Sequence, residues 1–333
     1  MIVLDCTLRD GGYCNDWLFS DALVTKYLSA IRKSGIDAIE LGFRTNDVNA
    51  YKYANITDDV MGELNVDGIK YVGVMVNTNE VYTYRADEMF KKSELSKINL
   101  VRLATHFNDI NKAEEYCVSL KQLGYTVTIQ LMQAASKSYD EISRSSKKIN
   151  DWGVIDVLYI ADSFGGMNHD SIDYAYSAIN DGWSGDIGFH AHNNKSQAVN
   201  NTLEAVDIGF DWVDGTLCGI GRGAGNAEIE YLLIELNKRG YGEYKLNEIG
   251  ALATNDFYRF NERYKCKPSL PYYLSAEYDI HPMYVQRLLK LGYNQYDTLY
   301  FINELSMMNA NYFSHDLLKE AINGYCDNNP SEI

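Results

Sequence analysis

A chain of 333 residues with 46% hydrophobic and 23% charged residues is long enough to enclose a full apolar core and has an ordinary globular composition. Its formal net charge of −16 repels phosphate backbones and anionic lipid surfaces, which argues against nucleic acid and membranes as partners. The opening MIVLDCTLRD reads as a strand, no apolar run approaches the ~18 residues of a membrane span, and six scattered cysteines (Cys6, Cys14, Cys117, Cys218, Cys266, Cys326) form no CxxC pair. The expectation is a leaderless, cytoplasmic chain with reduced thiols.

In chain order, short apolar runs alternate with amphipathic segments. Strands are expected at 2–9, 38–43, 71–76, 100–105, 126–132, 157–162, 187–192 and 212–217. Helices are expected at 21–34, 109–123, 139–151, 169–180, 197–208 and 226–238, with less definite helical stretches at 46–66 and 78–98. Ser20-Asp21, Asn108-Asp109 and Asn168 read as helix caps. Eight strands, each followed by a helix over about 240 residues, suggest a (β/α)8 TIM barrel. A doubly wound sheet is the alternative, but the glycine run from Gly219 to Asn226 has glycine at every second position and does not fit GxGxxG. From about 247 the pattern turns helical, Tyr- and Asn-rich, and holds Pro268, Pro271 and Pro282. The organisation expected is a catalytic barrel over 1–246 and a helical C-terminal region over 247–333.

Barrel chemistry sits at the C-terminal ends of the strands. Those ends carry Arg9 and Asp10, Glu40, Arg102 and His106, Gln130, Asp162 and Ser163, His190 and His192, and the glycine loop with Asn226. So many charged groups are costly to bury unless paired or bound to a metal. His190 and His192 are two apart, so on a strand their imidazoles share one face. With Asp10 they offer one carboxylate and two imidazoles and leave open coordination positions. That set suits Mn²⁺, Mg²⁺, Zn²⁺ or Fe²⁺, and ligand type does not choose among them. Blander readings stay open for single residues: Asp10 as a turn cap, Glu40 and Arg102 as a structural ion pair, His106 as a core histidine, Asp162-Ser163 as a helix start.

Asp5-Cys-Thr-Leu-Arg-Asp-Gly-Gly12 resembles the opening motif of the DRE-TIM metallolyases, and the likeness continues through Arg102-Leu-Ala-Thr-His106, Tyr159-Ile-Ala-Asp-Ser163, His190-Ala-His-Asn-Asn194 and the 219–226 loop. It covers residues 1 to about 240 and is greatest for the 4-hydroxy-2-oxovalerate aldolases. The resemblance implies that Asp10, His190 and His192 hold a divalent cation, usually Mn²⁺ or Mg²⁺, with Asn226 as a further ligand by analogy with the lyase branch. It implies that Arg9 stabilises an enolate oxygen and that Glu40 is the superfamily's glutamate. Arg102, Ser163, Gly221 and Gly223 fall at the substrate. The implied reaction makes or breaks a C–C bond next to a pyruvate-like 2-oxo acid, which chelates the cation through its carboxylate and keto oxygens. The implied partners are that 2-oxo acid and an aldehyde; a homo-oligomer is left open.

The chain departs from the aldolases at Tyr13, where they place a histidine base. A phenol of ordinary pKa near 10 is a poor base at neutral pH. Tyr13, His106 and His281 are therefore the residues to examine for proton transfer. The aldolases also use a C-terminal tyrosine, for which Tyr278 and Tyr284 are the candidates. The altered C-terminal region gives no reason to expect the aldolases' dehydrogenase partner. Two rival readings remain: a Claisen-type acyl-CoA condensing synthase, and a catalytically inactive barrel that binds a metabolite or a partner protein.

Overall fold

A computed structural model describes residues 1–47, 49–81, 85–134 and 137–328; the side chains of 81 and 326–328, and so the thiol of Cys326, lie outside the described residues. Eight parallel strands close into a barrel: β1 (Ile2–Asp5), β2 (Ala38–Phe43), β3 (Tyr71–Asn77), β4 (Leu100–His106), β5 (Thr126–Met132), β6 (Val157–Asp162), β7 (Asp186–Ala191) and β8 (Trp212–Gly215). The ring closes where Ile2 to Asp5 of β1 pair with Trp212 to Gly215 of β8. The expected TIM barrel is the observed fold.

Around and between the strands run α1 (Thr7–Asn15), α2 (Asp21–Ser34), α3 (Asp58–Glu63), α4 (Thr78–Val81), α5 (Ala86–Met89), α6 (Glu114–Gln122), α7 (Tyr139–Trp152), α8 (His169–Asn180), α9 (Ala198–Ile208) and α10 (Ile229–Arg239). Ser20 and Asn168 cap α2 and α8 as expected, accepting from the backbone N–H of Leu23 and Ser171. Asn108-Asp109 does not cap. A 3₁₀ turn over Phe107–Lys112, with Asp109 paired to Lys112, comes first, and α6 starts only at Glu114. The first strand is also shorter than expected. It stops at Asp5, whose carboxylate accepts the backbone N–H of Thr7 and turns the chain into α1. Arg9 and Asp10 thus sit on a helix, one turn beyond the strand.

The two-residue period of the strands sorts the barrel interior into layers. Leu4, Ala38, Leu100, Val157, Tyr159 and Trp212 form an apolar plug at the N-terminal end. Two residues further along their strands stand Glu40, Arg102 and Asp214, all buried. Beyond these, Ala104, His106, Ala161 and Ser163 reach the mouth. The same alternation that buries Leu100 therefore delivers Arg102 to the middle layer and His106 to the top.

The C-terminal part carries α11 (Leu246–Leu252), α12 (Tyr258–Tyr264), α13 (Leu270–Glu277), α14 (Met283–Lys290), α15 (Gln295–Ser306) and α16 (His315–Asn328). Ile249, Leu252 and Phe257 belong to the apolar cluster between barrel and helices. A separate cluster begins at Tyr272 and includes Tyr284, Val285, Leu288, Phe301 and Leu305, together with Ala224 from the loop after β8. The last helices are thereby seated on the barrel mouth. A disulfide joins Cys14 of α1 to Cys266, 252 positions away, which overturns the expectation that every thiol is free. No local spacing announces such a pair; the fold brings the segment after α12 over α1. Cys6, Cys117 and Cys218 are buried free thiols. Among the described residues no helix is long and apolar enough to cross a membrane.

Candidate active site

The mouth of the barrel encloses a chamber of about 130 Å³ whose wall includes Arg9, Asp10, Tyr13, His106, His190 and His192. α1 presents Arg9 and Asp10. β7 presents His190, and His192 lies one residue past its end, held by an antiparallel bridge to Asn226. A carboxylate oxygen of Asp10 and a ring nitrogen of each histidine lie within 4.8 Å of one another.

Both imidazoles are aimed by what their other nitrogen does. His190 Nδ1 is 2.9 Å from the Asp214 carboxylate and His192 Nδ1 is 3.1 Å from the Asp162 carbonyl. Two acceptors at those positions place the ring proton on Nδ1, which leaves each Nε2 lone pair for a cation. His192 Nε2 is buried without a hydrogen-bond partner, as is Asn226 Oδ1. Burial, Arg222 and His190 hold His192 well below its ordinary pKa, so it is neutral at pH 7. Burial alone would raise Asp10, but Arg9, both histidines and the amide of Asn226 outweigh it and hold the carboxyl well below the usual range. An anionic oxygen, two imidazole nitrogens and an orphaned amide oxygen fit a divalent cation. A second set, Cys6 with His190 and Asp214, fits less well: the same Asp214 oxygen already takes Arg102 at 2.6 Å, and burial pushes the Cys6 thiol up.

Asp10 and His190 are the ends of one buried ionic chain. Asp10 pairs with Arg9; Arg9 Nε donates to Glu40 at 2.6 Å; Glu40 lies 3.4 Å from Arg102; Arg102 donates to Asp214; Asp214 takes His190. Buried charges survive only when paired in this way. With Nε on Glu40 and Nη1 on Asp10, the Arg9 guanidinium is fixed, and its Nη2 is buried without a partner.

Residues 1–257 match the HMGL-like family. The chain belongs to that family. A 4-hydroxy-2-oxovalerate aldolase of Pelotomaculum thermopropionicum is 30% identical over 72% of this chain and 70% of its own length. An oxaloacetate decarboxylase of Mycobacterium tuberculosis is 29% identical over 72% and 71%. Among solved structures, the N-terminal domain of a candidate aldolase from Bacteroides vulgatus superposes with a TM-score of 0.77 at 26% identity, covering 90% of this chain and 99% of that one. The carboxyl transferase domain of Rhizobium etli pyruvate carboxylase shares the fold at TM-score 0.69 and 15% identity, over 93% of this chain and 57% of that one. Family membership and the names of these relatives make the protein an enzyme of the lyase class.

Against that family, the sequence-derived residues fall into three places. Arg9, Asp10, Tyr13, His106, Ser163, His190 and His192 line the chamber. Glu40 and Arg102 lie beneath it, fully buried, as members of the ionic chain; Arg102 also stacks over Tyr159, 4.4 Å from the ring centre. Gly221 and Gly223 face a neighbouring cavity, and Gly221 is needed for space: a Cβ there would collide with Asp10 and Asn226. Asp162 holds the turn after β6, accepting from the backbone N–H of Gly166 and Met167, and burial raises its pKa to about 6. Tyr278 is exposed, and Tyr284 is buried and donates to the Tyr312 carbonyl, so neither enters the chamber. Two residues escaped the sequence reading. Asp214, inside β8, was visible only as an acid at an inward-facing position. Arg222 stands inside the glycine run, whose spacing gives an arginine no signal of its own.

Proposed function

We propose that the protein is a divalent-metal-dependent aldolase that makes or breaks a C–C bond beside the enolate of a pyruvate-like 2-oxo acid. The observation that carries this reading is the convergence of Asp10, His190 and His192, with free Nε2 lone pairs, on the chamber that also receives the Nη2 of Arg9. The names of the curated relatives support the 2-oxo acid side. A cation at Asp10, His190 and His192, Mn²⁺ or Mg²⁺ by the family's habit and Zn²⁺ by ligand type, supplies Lewis acidity toward the oxygens of the 2-oxo acid.

The protein's own groups do the rest. The fixed Arg9 offers Nη2 to the oxygen that becomes negative in the enolate, and it does so without reorganising. Glu40 holds that guanidinium in place. Asn226 ties Asp10 to the loop after β8. Tyr13 is unsuited to be a base, since burial pushes its phenol further up. His281, contributed by the C-terminal region, accepts the backbone N–H of Met283 on Nδ1 and so carries its proton on Nε2. Burial, with Arg222 and His106, lowers its pKa to about 3. It is neutral at pH 7 and serves as a hydrogen-bond donor to a substrate oxygen. His106 is then the chamber residue left to move the proton of the second reactant's hydroxyl.

The weakness of Tyr13 as a base favours one other reaction on the same site, decarboxylation of a 3-carboxy-2-oxo acid such as oxaloacetate. It yields the same enolate, and no hydroxyl proton has to be removed. The test common to both is solvent deuterium exchange into the methyl group of pyruvate, followed by NMR. Protein reloaded with Mn²⁺ or Mg²⁺ should exchange; chelated protein and His190→Ala should not. Absence of exchange in metal-loaded protein rejects pyruvate enolisation. Oxaloacetate consumption above the rate given by free Mn²⁺ separates the two reactions.

A further inference from the structure

Arg9 and Arg222 line the chamber, Arg102 lies beneath it, and one of the three has no acid. Arg9 and Arg102 are neutralised by Asp10, Glu40 and Asp214. Arg222, half-buried in the loop after β8, donates from Nη2 to the Ser163 carbonyl at 3.1 Å and forms no ion pair among the described residues. In a chain with 46 acidic and 30 basic residues, an unpaired cation in a partly desolvated wall is not explained by local need. It lines the chamber together with His192 and His281, neither of which is an anion.

A second observation lies on the other side of the same loop. Gly221 and Gly223, which flank Arg222, line a wider cavity of about 590 Å³. Tyr13 borders both spaces, so the cavity adjoins the chamber. Lys265, Lys267 and Lys290 stand in its wall, and no Asp or Glu does among the described lining residues. Lys290 is weakly engaged, 3.8 Å from Asp16. The cavity beside the chamber is therefore positive in an otherwise acidic protein, and it focuses anions.

We propose that Arg222 anchors an anionic group on the second reactant, so that the electrophile is a carbonyl compound bearing a carboxylate or a phosphate rather than a neutral aldehyde. This rests on the aldolase reading for its chemistry but not for its test. The planar guanidinium suits either oxyanion, with charge-assisted hydrogen bonds. No covalent step involves Arg222.

The test is equilibrium binding to chelated protein by isothermal titration calorimetry, with glycerol 3-phosphate, 3-hydroxypropionate and glycerol as probes. Chelation removes the cation that would otherwise capture an anion. At least one anion is expected to bind at least tenfold more tightly than glycerol, and the tighter of the two identifies the group as phosphate or carboxylate. Arg222→Gln should lose about tenfold or more of that preference, and Arg222→Lys should keep most of it. Circular dichroism checks the fold of each variant, and the wild-type selectivity and the Lys variant decide the matter if the Gln variant does not fold. Equal binding of anions and glycerol overturns the proposal, as does unchanged anion binding in a folded Gln variant. So does an equal loss of pyruvate affinity in the Mn²⁺-loaded Gln variant, because Arg222 would then serve the 2-oxo acid itself. Missing methyl exchange alongside intact anion selectivity counts against the aldolase reading alone.

Discussion

Asp214 is the best place to test whether the buried ionic chain positions the proposed metal ligands. One oxygen, Oδ2, takes both Arg102 Nη2 at 2.6 Å and His190 Nδ1 at 2.9 Å, while Oδ1 has no partner. Asp214→Ala removes both contacts. It leaves Arg102, which has no exposed surface, with Glu40 at 3.4 Å as its one ion partner among the described residues. Breaking a buried pair from one side costs about 3–5 kcal/mol, so urea unfolding should show a loss of that order. It also frees the His190 ring to rotate, and loss of such an orienting partner typically weakens metal affinity about 10–100-fold. Asp214→Asn is the control. With its amide oxygen at the Oδ2 position it keeps both hydrogen bonds and removes only the charge, so the Mn²⁺ affinity should fall less than tenfold. Mn²⁺ titration followed by electron paramagnetic resonance reads both variants under native conditions. If folded Asp214→Ala binds Mn²⁺ as tightly as wild type, His190 is not held by Asp214 and the positioning argument is wrong. If both variants weaken equally, charge rather than orientation is what Asp214 supplies.

Gly221→Ala should abolish most Mn²⁺ affinity, since the new methyl group would displace Asp10 or Asn226; Gly62→Ala, with open space around it, is the matched control and should bind normally. Asp5 has its pKa raised to about 6 by burial, against bonds from Tyr27 and Thr7 that lower it. The stability it contributes is complete below its unfolded value of 3.8 and is lost as the pH rises through about 6. Asp5→Asn should therefore flatten the wild-type decline between pH 4.5 and 7.5 by roughly 2–3 kcal/mol in urea unfolding, and an unchanged slope would show that the carboxyl titrates normally. Reduction, or Cys266→Ser, should lower stability by about 2–4 kcal/mol. A thiol count on denatured protein that does not rise on reduction would show that Cys14 and Cys266 are not joined.

The barrel and the shared face of His190 and His192 were legible in the sequence because both rest on local period. Strand alternation is set by backbone geometry, so the spacing of His190 and His192 already implied a shared face, and the rhythm of apolar runs implied eight βα units. The position of Asp10 was legible from its motif, but its carrier was not. Nothing in Leu8-Arg9-Asp10 says that Asp5 ends the strand; that follows from a bond the Asp5 carboxylate makes to the Thr7 backbone.

Everything that depends on residues far apart in the chain was decided by tertiary structure. Asp214 looked like one more acid until β8 closed against β1 and set it between Arg102 and His190. Cys14 and Cys266, separated by 252 positions, carry no local signal of pairing. Arg222 and His281 meet in one wall because the helices after residue 270 fold back over the mouth. The physical reason is the same in each case. Periodicity fixes which way a side chain points from its own element, whereas the partner that determines its charge and role is supplied by closure of the barrel and by the docking of the last helices.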